Sequence, residues 1–164
     1  MQLAVLAITK SLILVIAANA APAVLKLALN NRYSAPIDAG LEWIDGRRLL
    51  GPSKTLRGLA IGVLIPTILS PLVRLPWQAG MSVGAAAMAG DCLSSFAKRR
   101  LGFESSDMAL GLDQIPEALF PAIVMRTYTQ LSFVDVCAIV LVFCVGELAL
   151  SPVLFRLGLR ERPY

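Results

Sequence analysis

The sequence predicts an all-helical integral membrane protein of about five transmembrane helices with two long loops on one membrane face. Three observations predict it. Hydrophobic residues make up 57% of the 164-residue chain and charged residues 16%, and the mean hydropathy is +0.71, a composition that fits the bilayer as solvent better than water. Apolar stretches near the length of about 20 residues that a crossing needs recur along the chain. The basic residues fall in alternate connections, as they do where short loops on the cytoplasmic side retain Lys and Arg.

The first stretch covers residues 2–24. Ala18-Asn19-Ala20 has the form of a signal-peptidase site, but the preceding segment lacks positive charge, Lys10 interrupts the apolar run, and apolar sequence continues to Leu29. A retained helix is therefore expected. The next spans are expected at 56–75 and 77–97, a shorter one at 112–128, and the last at 132–155. With five spans, 12 of the 15 basic residues share one side, Arg160 and Arg162 among them, while Arg74 and Arg126 take the other and Lys10 lies within the first helix. That places the N-terminus outside and the C-terminus inside a multi-pass protein of the cell (inner) membrane. A four-span arrangement would divide the charges between faces. No repeat or low-complexity tract divides the chain, which reads as a single polytopic domain over residues 1–164.

The outer connections are too small to hold a site, so function is expected in the inner loops, residues 30–55 and 98–113. There is no histidine, and Cys92, Cys137 and Cys144 have no paired spacing. Any metal must therefore be held by carboxylates. In the first loop, Asp38, Asp45, Gly46, Arg47, Gly51, Ser53, Lys54, Thr55, Arg57 and Gly58 are candidate CTP- and phosphate-binding residues. Gly46 and Gly51 have GxxxxG spacing, but Pro52-Ser53 precedes Lys54-Thr55 and no strand leads in, so a P-loop is excluded. Glycines that admit an anion to the backbone, two cations and hydroxyls at a helix start remain. A loop that merely docks on anionic lipid would have no use for Asp38, Glu42 and Asp45.

The third span carries small residues, including Gly80, Gly84 and Gly90, suited to close helix packing within one chain or between two. Asp91 lies near its inner end, with Ser95 and Lys98 at helical spacing on the same face. A carboxylate at that depth costs about 2.5–3.5 kcal/mol on insertion scales and needs a partner or a use. Lys98 or Arg99 would be a structural partner. Asp113 can cap the next helix, and Glu117 lies one turn further on, at the level of Asp91. Carboxylates gathered beside Lys, Arg, Ser and Gly suit a Mg²⁺-nucleotide site. A small transporter would need a polar path through the whole bilayer, and the outer half offers only Lys10 and Asp135; a bare scaffold leaves the inner loops unexplained.

Asn19-Ala20-Ala21-Pro22, Pro36-Ile37-Asp38-x-Gly40 and Asp45-Gly46-Arg47-Arg48 with Gly51-x-Ser53-Lys54-Thr55-x-Arg57-Gly58 resemble the CDP-archaeol synthase family of membrane CTP transferases. So does Gly90-Asp91-x-x-Ser94-Ser95-Phe96-x-Lys98-Arg99-Arg100-x-Gly102 followed by Leu112-Asp113-Gln114, blocks also similar to phosphatidate cytidylyltransferases. The resemblance implies that a lipid phosphate attacks CTP to form a CDP-lipid of archaeol or diacylglycerol type and release pyrophosphate. It implies Mg²⁺ at Asp91 and Asp113, triphosphate contacts from Lys54 and Arg57, and headgroup or pyrophosphate contacts from Lys98, Arg99 and Arg100. CTP, a lipid phosphate and membrane lipids are the implied partners, without nucleic acid; the oligomeric state is left open. Where the family usually carries a second aspartate three residues after the first, this chain has Pro116, followed by Glu117 as a substitute metal ligand.

Overall fold

The computed structural model describes residues 2–30, 32–105 and 107–156, and of residues 153 and 154 the backbone alone. Arg160 and Arg162 of the basic cluster lie outside the described residues. Five helices follow in order: α1 (Gln2–Leu29), α2 (Leu56–Leu72), α3 (Trp77–Leu101), α4 (Gln114–Met125) and α5 (Phe133–Arg156). α1 and α5 are long and apolar enough to cross a membrane by length and composition. α1 runs five residues beyond its expected end, through the apolar sequence that continues to Leu29, and holds Pro22 inside the helix. α3 likewise continues past residue 97, and Gly102, at φ 87°, closes it with its N–H donated to the carbonyl of Arg99. α4 has 12 residues, which at 1.5 Å per residue gives about 18 Å, short of a hydrocarbon core of about 30 Å. Sequence had marked this stretch as the shortest; its chain turns at Thr127–Thr129, whose N–H groups donate to carbonyls of the last helical turn.

α2 and α3 form an antiparallel hairpin with scarcely any side chain between them. A Cβ on Gly80 would collide with the carbonyl of Pro66, and one on Gly84 would lie 2.7 Å from the carbonyl oxygen of Gly62. The small residues thus serve packing within the chain. α2 packs on α3 and α1, whereas α5 packs on α4 and α1. One core is built from Leu14 and Val15 of α1, Val83 of α3, Ala118, Ala122 and Met125 of α4, and Val136, Ile139 and Phe143 of α5. Hydroxyls within the helices bond to backbone carbonyls one turn back, as Ser11 does to Ala7 (2.8 Å) and Thr67 to Val63 (2.7 Å), which satisfies them where water is excluded. Asn19 of α1 donates to the carbonyls of Val15 (3.0 Å) and Glu117 (3.4 Å). The second half of α1, at Asn19, and the first turn of α4 therefore meet at one level.

Residues 32–55 are folded. The stem is closed by Ile37 N–H to the carbonyl of Lys54 (2.8 Å) and Leu56 N–H to that of Ala35 (3.0 Å). The tip is a small hairpin in which Trp43 N–H donates to Arg47 (2.8 Å) and Leu49 N–H to Leu41 (2.9 Å), with Glu42 bridged opposite Arg48.

Candidate active site

Asp38 organises this loop. Its carboxylate accepts N–H groups from Gly40 (3.1 Å), Leu50 (3.2 Å) and Gly51 (2.9 Å) and an ion pair from Arg48. Burial pushes its pKa upward, but the N–H groups of Gly51 and Gly40, the Arg48 guanidinium and the Leu50 N–H outweigh it and hold the value at about 2. The expected phosphate contact at Asp38 is replaced by this structural task, since its oxygens are already engaged. Gly51 takes φ +97°, which lets its N–H reach Asp38 at the point where the chain enters Pro52-Ser53-Lys54.

Thr55 is the N-cap of α2, its hydroxyl accepting the Gly58 N–H at 3.2 Å. The segment Pro52–Leu59 forms one wall of a cavity of about 460 Å³. Its other walls come from Pro22, Ala23 and Lys26 of α1, from Ser34, Pro36 and Ile37, from Met88, Asp91 and Cys92 of α3, and from Ser105 of the second loop. Lys54 reaches across it to an ion pair with Asp91. Burial opposes the Lys54 charge, but the carboxylates of Asp91 and then Glu117 raise its pKa above the ordinary lysine value. The Glu117 carboxyl lies close to that of Asp91 and acts on it electrostatically. Their approach rests on Gly90, where a Cβ would run into the carbonyl of Pro116. Asp91 thus faces Lys54 and Glu117, whereas sequence offered Lys98 or Arg99 as its structural partner.

Asp113 stands apart from that pair. It forms an ion pair with Lys98 at 2.7 Å and accepts the Ala109 N–H at 2.9 Å, and makes no side-chain capping bond to α4. Among the described residues, no three acidic or cysteine side chains converge as metal ligands. The expected trio of Asp91, Asp113 and Glu117 is therefore reduced to the Asp91–Glu117 pair. Two carboxyl groups in contact need a proton or a cation between them. Mg²⁺ is commonly held by one or two carboxylates with phosphates and waters completing its shell, so the pair fits such an ion.

Several expected anion ligands are engaged in holding the two loops together. Arg47 donates to the carbonyls of Arg99 (3.1 Å) and Arg100 (3.2 Å) at the end of α3. Arg100 pairs with Asp45 and donates to the carbonyls of Arg47 (3.1 Å) and Arg48 (2.8 Å). Arg99 donates to Glu104 (2.6 Å) and Lys98 to the Asp107 carbonyl (2.9 Å). Ser95 is buried within α3, Gly46 forms the hairpin turn, and neither lines the cavity. Ser53, Lys54, Thr55, Arg57, Gly58 and Asp91 do; Arg57 is steered there by the carbonyls of Asn30 and Arg32. Lys26 and Ser105 were not anticipated as cavity residues. The helical spacing of Pro22, Ala23 and Lys26 could have signalled the first; nothing in the sequence points to the second.

Residues 7–75 and 76–164 match the family described as CarS-like, CDP-archaeol synthase. The chain belongs to the CDP-archaeol synthase family. The CDP-archaeol synthase of Pyrobaculum aerophilum is 31% identical over 138 residues, which cover 81% of this chain and 84% of that protein. That of Hyperthermus butylicus is 41% identical over 106 residues, 61% of this chain and 60% of its relative. The fold is also similar to a solved intramembrane enzyme for archaeal membrane lipid biosynthesis, at a TM-score of 0.69 and 28% identity, covering 84% of this chain and 90% of that one.

Proposed function

We propose that the chain is a CTP:lipid-phosphate cytidylyltransferase whose site is the cavity between Lys54 and Asp91. The observation that carries this reading is the ion pair of those two residues, which joins the basic, hydroxyl-rich segment before α2 to a carboxyl pair between α3 and α4. A phosphate oxygen of the lipid acceptor attacks the α-phosphorus of CTP, the bond from that phosphorus to the bridging oxygen breaks, and pyrophosphate leaves with the electron pair. The attacking phosphate is already anionic near neutral pH, so no general base is required. The protein's work is positioning and charge neutralisation. Lys54 and Arg57 hold the triphosphate, while the Ser53 and Thr55 hydroxyls supply further donors. Asp91 and Glu117 hold Mg²⁺, which, when bound, neutralises phosphate charge. Asp113 orients Lys98 and the second loop.

Family membership supports an archaeol-type acceptor, an ether-linked lipid phosphate; a diacylglycerol phosphate carries the same reacting group. Five crossings with the N-terminus outside place the site on the cytoplasmic side. The gathering of Lys54, Arg57, Lys98, Arg99 and Arg100 at one end of the bundle supports that orientation.

The test is pyrophosphate release by the full chain in detergent, with CTP, ATP, GTP or UTP, with archaeol phosphate or phosphatidate, and with or without chelator. CTP-selective release that requires a lipid phosphate and Mg²⁺, and falls at least about 100-fold in Asp91→Asn, is expected. No turnover of any nucleotide with either acceptor would overturn the reading.

A further inference from the structure

The chain has two tryptophans, and their placement concerns the hairpin at the tip of the first loop. Trp77 opens α3 and is 52% exposed. Trp43 belongs to the hairpin, yet its ring meets Phe96 of α3 edge-on, with centroids 5.6 Å apart. The hairpin therefore folds back along the side of α3 and does not project from its end. Trp77 and Phe96 are nineteen positions apart on one helix, which corresponds to about 28 Å, close to the hydrocarbon thickness of about 30 Å. Tryptophans separated by that distance along the membrane normal match the two aromatic belts of a membrane protein.

The hairpin's outward side suits the same place. Leu41 is 61% exposed, Trp43 47% and Ile44 93%. On α3, Leu93, one turn before Phe96 on the same side of the helix, is 50% exposed. The hairpin's charged neighbours point to the headgroup region. Arg100 lies over the Phe96 ring at 5.1 Å and pairs with Asp45, and Glu42 is bridged opposite Arg48. An apolar tip flanked by paired charges fits the boundary between headgroups and acyl chains.

We infer that residues 41–44 are a membrane-interface anchor, with Trp43 and Ile44 immersed in the lipid leaflet at the level of Phe96. The occupant of this surface is lipid. Because the strand leaving the hairpin runs through Gly51 into Ser53–Thr55, the leaflet thereby holds one wall of the cavity. The inference rests on the proposed crossing of α3 and not on the cytidylyltransferase assignment.

The test uses the full chain in phosphatidylcholine vesicles, as Trp77→Phe to isolate Trp43 and as Trp43→Phe to isolate Trp77. Lipids brominated near the headgroup end of the acyl chain should remove about half or more of the emission of each, while aqueous iodide has little effect. Ile44→Asp in the Trp77→Phe background should lessen bromolipid quenching of Trp43 without loss of folding, followed by helix circular dichroism. If Trp77 is quenched by bromolipid and Trp43 only by iodide, the hairpin stands in water and the inference fails. If Trp43 is shielded from both, protein covers it, and the inference also fails. Quenching of neither tryptophan by bromolipid overturns the crossing of α3 together with the anchor.

Discussion

Asp38, Lys54 and Asp91 show how differently charged residues act in one small region. Asp38 has spent its acceptor capacity on Gly40, Leu50, Gly51 and Arg48. With a pKa of about 2 against 3.8 when unperturbed, its contribution to stability is complete above pH 3.8 and is lost as the pH falls towards 2. That difference corresponds to about 2 kcal/mol. Asp38→Asn should lose this amount at neutral pH and flatten the acid limb of the melting profile, measured by thermal unfolding in detergent between pH 2 and 7. Lys54 and Asp91 face each other across the cavity, with 21% and 22% of their side-chain surface exposed. Lys54→Gln leaves two carboxyls without their cation and should cost ~2 kcal/mol. Adding Asp91→Asn should restore much of the stability but none of the pyrophosphate release, which separates the pair's structural effect from its proposed catalytic one.

The helices were legible because each is an apolar run bounded by Pro, Gly or charge. The cavity segment Ser53–Gly58 and Asp91 were legible because hydroxyls, cations and a carboxylate in such order have few other uses. What sequence could not convey was the destination of the remaining cations. Arg47, Arg99 and Arg100 carry the charge of phosphate ligands, yet they donate to carbonyls at the end of α3 and in the loops. Side-chain charge is visible in a sequence, whereas an unsatisfied carbonyl exists only after the helix has ended. Asp113, expected to bind metal or to cap α4, stands at the N-cap position, but Lys98 and the Ala109 N–H claim its carboxylate.

Helix packing leads to a comparison among glycines. Gly90→Ala should push α4 away from α3 through the Pro116 carbonyl, lowering the melting temperature and separating Glu117 from Asp91, with activity falling further than stability alone explains. Gly146→Ala meets nothing within 4 Å and should leave the protein as stable or more so, by up to about 1 kcal/mol. Equal losses in the two variants would contradict the packing described for Gly90.

For the whole molecule, the alternation of helix directions requires that residues 30–55 and 98–113 share one face. Single cysteines placed at Glu104 and Gln130, both exposed, in a chain lacking Cys92, Cys137 and Cys144 should react with an impermeant maleimide from opposite sides of the membrane. Glu104→Cys is expected to label only in inside-out vesicles, and Gln130→Cys only in right-side-out ones. Labelling of both from one side would remove the proposed crossing at α4.

α4 has its own consequence for the lipid around it. A segment of about 18 Å in a bundle whose neighbours α1 and α5 are longer leaves the proposed bilayer crossing poorly matched on one flank. The bilayer can meet such a flank by thinning there, at a cost of fractions of a kcal/mol per Å. Acyl-chain length thus becomes a mechanical variable for this protein: lipids of short chain relieve the deformation, and long chains oppose it at the helix that carries Glu117.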